Sequence, residues 1–500
     1  MCGICGTWED NDEVTLLSMM ESLSHRGPDA TGMLRMEKGA LGHRRLSIMD
    51  PEKGDNPLYN ENGKLVLRAN GEIYNHESIR KELSASHVFA TDSDIEAVLH
   101  LYEEKGPEAV RELDGMFALC ITDGETLFLA RDPLGIKPLY YGYSDEGALC
   151  FASEVKAFTS DVTGITEFPP GTWYHSGHGF NTFYNVPEIS PLDDNEKVFE
   201  KRIKTTLENA VSKRLMSDVP LGVFLSGGLD SSIIAALAAR DISPLHSFST
   251  GTRESGDLEA AERVADFLGT EHHECILNEE DISDALPMII YHLESFDQDL
   301  VRTAVPCYFT SGIAAQHVKV ILTGEGADEL FAGYTYYADI ESPHTLQREL
   351  RRSLESLHNI NLQRVDRMTM AQSLEGRVPF LDTALITLAQ EIPPELKRAG
   401  DPPVEKWILR KSFEGILPDD IIWRKKEQFD EGSGVIGLLR NLAGAAFDGD
   451  GWKRYRSMHP DVMLRSAEEC MYHRIFHRVF HEPSAVEETV ARWSVRPALS

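Results

Sequence analysis

The stretch Leu221-Gly-Val-Phe-Leu-Ser-Gly-Gly-Leu-Asp-Ser-Ser232 constrains this chain more than any other. Leu221 to Leu225 is an apolar run of the length of a short buried strand, and Ile233 to Ala239 reads as the start of an Ala-rich helix. Between them lies a loop rich in glycine and serine. Such a loop opening on a helix N-terminus gathers bare backbone N–H groups, the positive end of the helix dipole and short hydroxyls, which suits a phosphate or pyrophosphate. No Lys follows the glycines, so this is not a Walker A loop.

Strands and helices alternate after it: His246 to Thr250, Leu258 to Leu268, His272 to Leu277 and Val318 to Thr323. This predicts a parallel, doubly wound sheet with ligands at the carboxyl ends of its strands, where Leu225, Thr250 and Thr323 stand. Gly324-Glu-Gly-Ala-Asp-Glu-Leu-Phe-Ala-Gly-Tyr334 follows the last of these strands. Alone it reads as an acidic helix start. Beside a polyphosphate, its three carboxylates call for Mg2+.

Ser226 to Ser232 resembles the pyrophosphate loop of the ATP pyrophosphatases, which implies adenylation rather than kinase chemistry. The first 190 residues point elsewhere. Removal of Met1 would leave Cys2 with a thiol and a free α-amine, a group that titrates near ~8 and can act as base for its own side chain. His25-Arg-Gly-Pro-Asp29, Leu41-Gly-His-Arg-Arg-Leu-Ser47, Asn70-Gly-Glu-Ile-Tyr-Asn75 and Thr91-Asp-Ser-Asp94 follow in order. With these motifs the segment resembles the class II glutamine amidotransferases, whose fold is the αββα N-terminal-nucleophile hydrolase sandwich.

The resemblance implies that Cys2 attacks the glutamine carboxamide, that Asn70 and Gly71 supply the oxyanion donors, and that Arg45, Glu72 and Asp94 bind the amino-acid end. A guanidinium fork suits a carboxylate, and a carboxylate suits an ammonium. Arg44 and Arg45 are strand neighbours, so only one faces the pocket, and the family pattern selects Arg45. Asp92 and Glu96 read as surface or capping residues. Arg26 and Asp29 read as an ion pair or turn near the pocket, and Arg131 with Asp132 as ordering a loop. Met116 to Ile121 and Leu127 to Ala130 are expected to alternate as sheet strands.

The loops at 226–232 and 324–334, with Asp366 to Asp382 and Arg424-Lys-Lys-Glu-Gln-Phe429, closely resemble the glutamine-dependent asparagine synthetases. The likeness covers residues 2 to about 430. It implies an amidotransferase domain at 2–184, a linker at 185–196 and a synthetase domain at 197–500. It also implies three steps: glutamine hydrolysis, formation of β-aspartyl-AMP, and displacement of AMP by ammonia. ATP would contact Leu225, Ser226, Gly227, Gly228, Asp230, Ser231, Ser232, Thr250, Thr323 and Gly324. Asp230 and Asp328 would touch Mg2+, Glu325 would serve the acyl-adenylate, and Lys426 would neutralise charge on the transferring phosphate, with Arg424 and Lys425 as neighbouring alternatives. An apolar passage for ammonia is expected between the sites. The chain departs from the family at Thr323, Ala332, Asp430 and Glu431, which leaves another carboxylate acceptor open. A catalytically silent glutamine and ATP sensor is the rival class, and intact Cys2 weighs against it.

The net charge of −32, from 81 acidic and 49 basic residues, argues against nucleic acid as a partner. Seven scattered cysteines read as reduced thiols, and no apolar run reaches membrane-spanning length, so a cytoplasmic enzyme of small molecules is expected, with a homodimer as the family's suggestion. Cys470, His473, His477 and His481 share one helix face; interleaved Met471, Ile475, Phe476 and Val479 favour packing over zinc.

Overall fold

Gly115–Thr122 is buried from Met116 onward and does not alternate as expected, because it is covered on both faces. One face meets a second sheet across a core that includes Ile4, Leu41, Ala118, Cys120 and Phe151; the other meets Ala97, Val98 and Leu101 of the Glu96–Lys105 helix in a separate cluster. The structure, a computed structural model, describes residues 2–54, 57–425, 432–480 and 483–492.

Two six-stranded antiparallel sheets thus lie face to face. In one, Cys2–Trp8 sits between Leu149–Ala152 and Gly39–Arg45; in the other, Gly115–Thr122 sits between Leu127–Arg131 and Val66–Ile73. The Glu13–Ser22 helix covers the first sheet through Leu16, Met19 and Met20, giving four layers. Residues 185–195 carry no helix or strand, and Asn195 caps the Glu196–Lys213 helix by accepting from Val198 N.

The second half is built on a five-stranded parallel sheet in the order Glu271–Ile276, His246–Gly251, Leu221–Phe224, Val320–Leu322, Glu375–Arg377. The helix after Leu221–Phe224 begins earlier than the apolar pattern suggests, at Leu229, so Asp230, Ser231 and Ser232 form its first turn. Gly227 makes the turn at φ +68°, and a Cβ there would lie 2.5 Å from the Ala260 carbonyl carbon, so only glycine fits. Helices Val435–Ala446 and Ala467–Val479 pack on Glu279–Leu293, giving these two segments a structural role that carries no motif. No helix of the described residues is long and apolar enough to cross a membrane.

Where the halves meet, the interface has two characters. Leu46, Ile48 and Met116 share an apolar cluster with Val378, Phe380 and Leu381. Beside it lies a buried charge network: Arg26 and Arg367 both reach Glu154, and Arg367 also reaches Glu294 at 2.8 Å.

Candidate active sites

Cys2 opens its strand, pairs in register with Arg45 and is 9% exposed. Its backbone N donates to Asn70 Oδ1 at 3.0 Å. Asn70 is fully buried, and its Nδ2 has no hydrogen-bond partner among the described residues. A buried amide left with an unused donor beside a thiol is equipped to receive a new oxyanion. Gly71 follows on the same strand; a side chain there would overlap the Met116 carbonyl. Burial pushes the Cys2 thiol above its ordinary value, so a nearby base has to take its proton.

Arg44 and Arg45 point to opposite sides. Arg44 donates to Met20 O and Glu21, whereas Arg45 is buried and donates to Asp50 O at 2.8 Å and Met49 O at 3.2 Å. Asp94 is buried and accepts from Ile73 N at 2.6 Å; burial pushes its carboxyl up to about 6. Burial also holds the Glu72 carboxyl well above its usual range, with Glu375 and Asp94 adding repulsion. Arg377, from the last strand of the parallel sheet, reaches within 3.6 Å of Glu72, so the second half supplies a cation to this pocket. Asp92 is exposed, and Glu96 caps the loop before its helix by accepting from Ala90 N and Thr91 N.

Arg26 and Asp29, read as an ion pair or a turn, do not pair with each other. Arg26 donates to Cys2 O, Glu154 and Asp366, while Asp29 takes Ser47 N and Lys319 Nζ, both at 2.7 Å. Partners brought close by the fold satisfy both side chains in place of the sequence neighbour. Arg131 and Asp132 do order a loop: Asp132 accepts from Leu134, Ile136 and Lys137 N–H groups, and Arg131 donates to Gly135 O and Lys137 O.

The second site is a cavity of about 440 Å³ at the carboxyl ends of the parallel strands. Leu225, Ser226, Gly228, Asp230, Ser231, Thr250, Thr323, Gly324, Glu325 and Asp328 are on its wall; Gly227 and Ser232 are not. Gly227 shapes the turn, and Ser232 is buried behind it with Oγ unpartnered among the described residues, as is Thr250 Oγ1. Glu325 pairs with Arg364.

Asp230 and Asp328 are joined by a residue that no motif announced. Lys406 Nζ lies 2.5 Å from Asp230 Oδ2 and 2.5 Å from Asp328 Oδ1. Burial works against its charge, but the two carboxylates outweigh burial and hold the ammonium above its ordinary range. Asp230 Oδ1 is buried and has no donor among the described residues. That spare acceptor, with the carboxylate of Asp328, fits a hard cation that would complete its shell with phosphate oxygens and water. Lys425 is on the cavity wall, and Arg424 pairs with Asp257 at 2.9 Å. Lys426, Asp430 and Glu431 lie outside the described residues, as do Met1 and His481. In the C-terminal row, Cys470 turns toward Trp452 O, while His473, His477 and Glu487 gather.

Comparison with known proteins matches both halves. Residues 1–169 fit the glutamine amidotransferase domain family, and residues 202–345 and 338–499 fit the asparagine synthase family. The chain is 40% identical to asparagine synthetase B [glutamine-hydrolyzing] of Escherichia coli, over 97% of this chain and 93% of that one. It is 39% identical to asparagine synthetase [glutamine-hydrolyzing] 3 of Arabidopsis thaliana, over 98% and 89%. A probable asparagine synthetase [glutamine-hydrolyzing] of Dictyostelium discoideum is 38% identical over 99% and 96%.

Proposed function

The chain belongs to the glutamine-hydrolysing asparagine synthetases, and from that premise we propose which of its residues carry each step. Glutamine hydrolysis supplies ammonia; aspartate and ATP give β-aspartyl-AMP and pyrophosphate; ammonia displaces AMP to give asparagine.

In the first pocket Cys2 Sγ attacks the carboxamide carbon. Once Met1 is removed, the Cys2 nitrogen is the α-amine, and it accepts the thiol proton. Asn70 Nδ2 and Gly71 N–H receive the oxyanion. Asp94 takes the substrate ammonium, Arg45 its carboxylate, and Glu72 sits beside them. The observation that carries this reading is the Cys2–Asn70 contact: one amide holds the nucleophile's nitrogen and keeps its own donor free.

In the cavity the β-carboxylate oxygen of aspartate attacks the α-phosphorus and pyrophosphate leaves. Ser226, Gly228 and Ser231, with Gly227 shaping their turn, cradle the departing phosphates at the N-terminus of Leu229–Ala238. Leu225, Thr250, Thr323 and Gly324 would flank the nucleotide, with Ser232 behind the loop. Asp230 and Asp328 would hold Mg2+, which supplies charge neutralisation on the triphosphate when bound. Lys406 keeps the two acids together and offers a fixed cation. Glu325, oriented by Arg364, receives a proton from ammonia as it attacks the acyl carbon. Lys426 remains the candidate cation on the α-phosphate. Ammonia would travel along the apolar side of the interface, by Met116 and Leu381.

The proposed domains run 2–184 and 197–500 with a linker at 185–196, a reading supported by the lack of helix or strand at 185–195, although the next helix already starts at Glu196. Pyrophosphate release with glutamine and aspartate, set against other carboxylic acids, tests the assignment: release only with another acid overturns aspartate as acceptor, and no release with any acid supports the sensor instead.

A further inference from the structure

Four side chains that neither pocket uses converge on the outer helical layer of the amino-terminal half. Glu61 follows the Leu58–Tyr59 strand, His87 lies past the His76–Leu83 helix, and His100 and Glu103 are one turn apart on Glu96–Lys105. His87 Nδ1 is 3.1 Å from Glu61 Oε1 and 3.6 Å from Glu103 Oε2. His100 Nδ1 is 3.1 Å from Glu103 Oε2 and 3.6 Å from Glu61 Oε2. A tetrahedral ion with bonds of about 2.0–2.1 Å keeps neighbouring ligand atoms roughly 3.3 Å apart, so these separations bracket the required value.

The outer nitrogens supply a second, independent observation. His87 Nε2 is 3.0 Å from Glu104 Oε1, and His100 Nε2 is 3.5 Å from Glu96 Oε1. The Glu104 carboxylate behind His87 fixes that ring's tautomer and turns its Nδ1 toward a metal, while Glu96 lies behind His100 Nε2 without a hydrogen bond to it. The inner carboxylates are held as well: Glu61 Oε1 accepts from Val88 N at 2.8 Å, and Glu103 Oε1 from Asn60 Nδ2 at 2.6 Å. Four glutamates therefore surround two histidines, and Arg80, 3.7 Å from Glu96, is the one Lys or Arg ion-paired to the group among the described residues. The set lacks positive charge rather than ligands.

We propose that Glu61, His87, His100 and Glu103 bind one Zn2+ ion, which ties the Glu61 turn and His87 to the Glu96–Lys105 helix. Two imidazoles with two carboxylates suit Zn2+ and disfavour the all-oxygen cations Mg2+ and Ca2+.

The full chain, stripped with a chelator and dialysed, is titrated with ZnCl2 by calorimetry and with CoCl2 by visible absorption. The expected result is one Zn2+ bound at micromolar or tighter Kd, a higher Tm, and the intense visible bands of tetrahedral Co2+. Glu61→Gln, at a surface residue that tolerates change, and His87→Ala should each weaken binding at least ~100-fold. His477→Ala, which alters the separate group with His473 and Glu487, should leave it unchanged. A wild-type chain that binds no Zn2+, binding that survives both Glu61→Gln and His87→Ala, or binding abolished by His477→Ala overturns the proposal.

Discussion

Arg26 and Asp366, 340 residues apart, meet as a buried two-pronged ion pair, Nη1 to Oδ2 at 2.7 Å and Nη2 to Oδ1 at 3.1 Å. The same guanidinium donates from Nε to Cys2 O at 3.1 Å and from Nη1 to Glu154 Oε1 at 2.6 Å. One side chain thus fixes the nucleophile's strand and fastens the two halves together. Arg26→Leu leaves Asp366 and Glu154 short of a buried partner, and removing one side of such a pair costs about 3–5 kcal/mol. Urea denaturation should show a loss of that order together with lower glutaminase activity. A variant within about 1 kcal/mol of wild type would mean that water replaces the guanidinium.

Asn70→Ala removes both the acceptor on the Cys2 nitrogen and the unused donor. Loss of one oxyanion donor lowers kcat by about 10²–10³. The expected signature is a fall in kcat for glutamine hydrolysis with KM within a few-fold, while synthesis from ammonium salts continues. A change confined to KM would assign Asn70 to ground-state binding instead.

Asp94 gives a pH dependence whose sign is fixed by its burial. Its carboxyl is pushed up to about 6, so below that pH it is protonated and has no charge to offer an ammonium. kcat/KM for glutamine should fall about tenfold per pH unit below 6, and Asp94→Asn should be poor at every pH and lack that slope. Stability runs the other way. An acid whose folded pKa exceeds its unfolded value destabilises the fold once the pH passes the unfolded value, and the penalty is complete above the folded one. The shift corresponds to at most about 3 kcal/mol. Asp94→Asn should therefore raise the urea midpoint at pH 8 and leave it nearly unchanged at pH 3; equal stabilisation at both pH values would show that charge is not the cause.

Sequence pattern made the phosphate loop legible because strand, turn and helix are local: Gly227 sits where backbone geometry alone demands it. It was less able to place charge. Arg26 and Asp29 look like partners at three residues' separation, yet each is satisfied by a residue about 300 positions away. Arg44 and Arg45 were separable, since strand alternation sends neighbours to opposite faces. Lys406 left no signal at all. It stands between Asp401-Pro-Pro and Trp407, outside any motif, on the cavity wall with a left-handed backbone at φ +56°. A left-handed lysine is not a periodic feature, so nothing short of the fold reveals it.

That lysine yields the sharpest expectation for the second pocket. Asp230 and Asp328 both approach Lys406 Nζ at 2.5 Å, and without it two carboxylates would face each other beside the triphosphate. Lys406→Met should lower aspartate-dependent pyrophosphate release by about 10²-fold or more, the scale of losing a preorganised charge at a transferring group. Glutamine hydrolysis, carried by the other half, should persist. Gly333→Ala offers an independent route to the same defect, because a methyl there would overlap Asp328 Oδ1 and Lys406 Cε and push the pair apart. If Lys406→Met turns over ATP at the wild-type rate, the ammonium merely fills the gap between two acids; if Gly333→Ala alone fails, the carboxylate spacing rather than the cation governs adenylation.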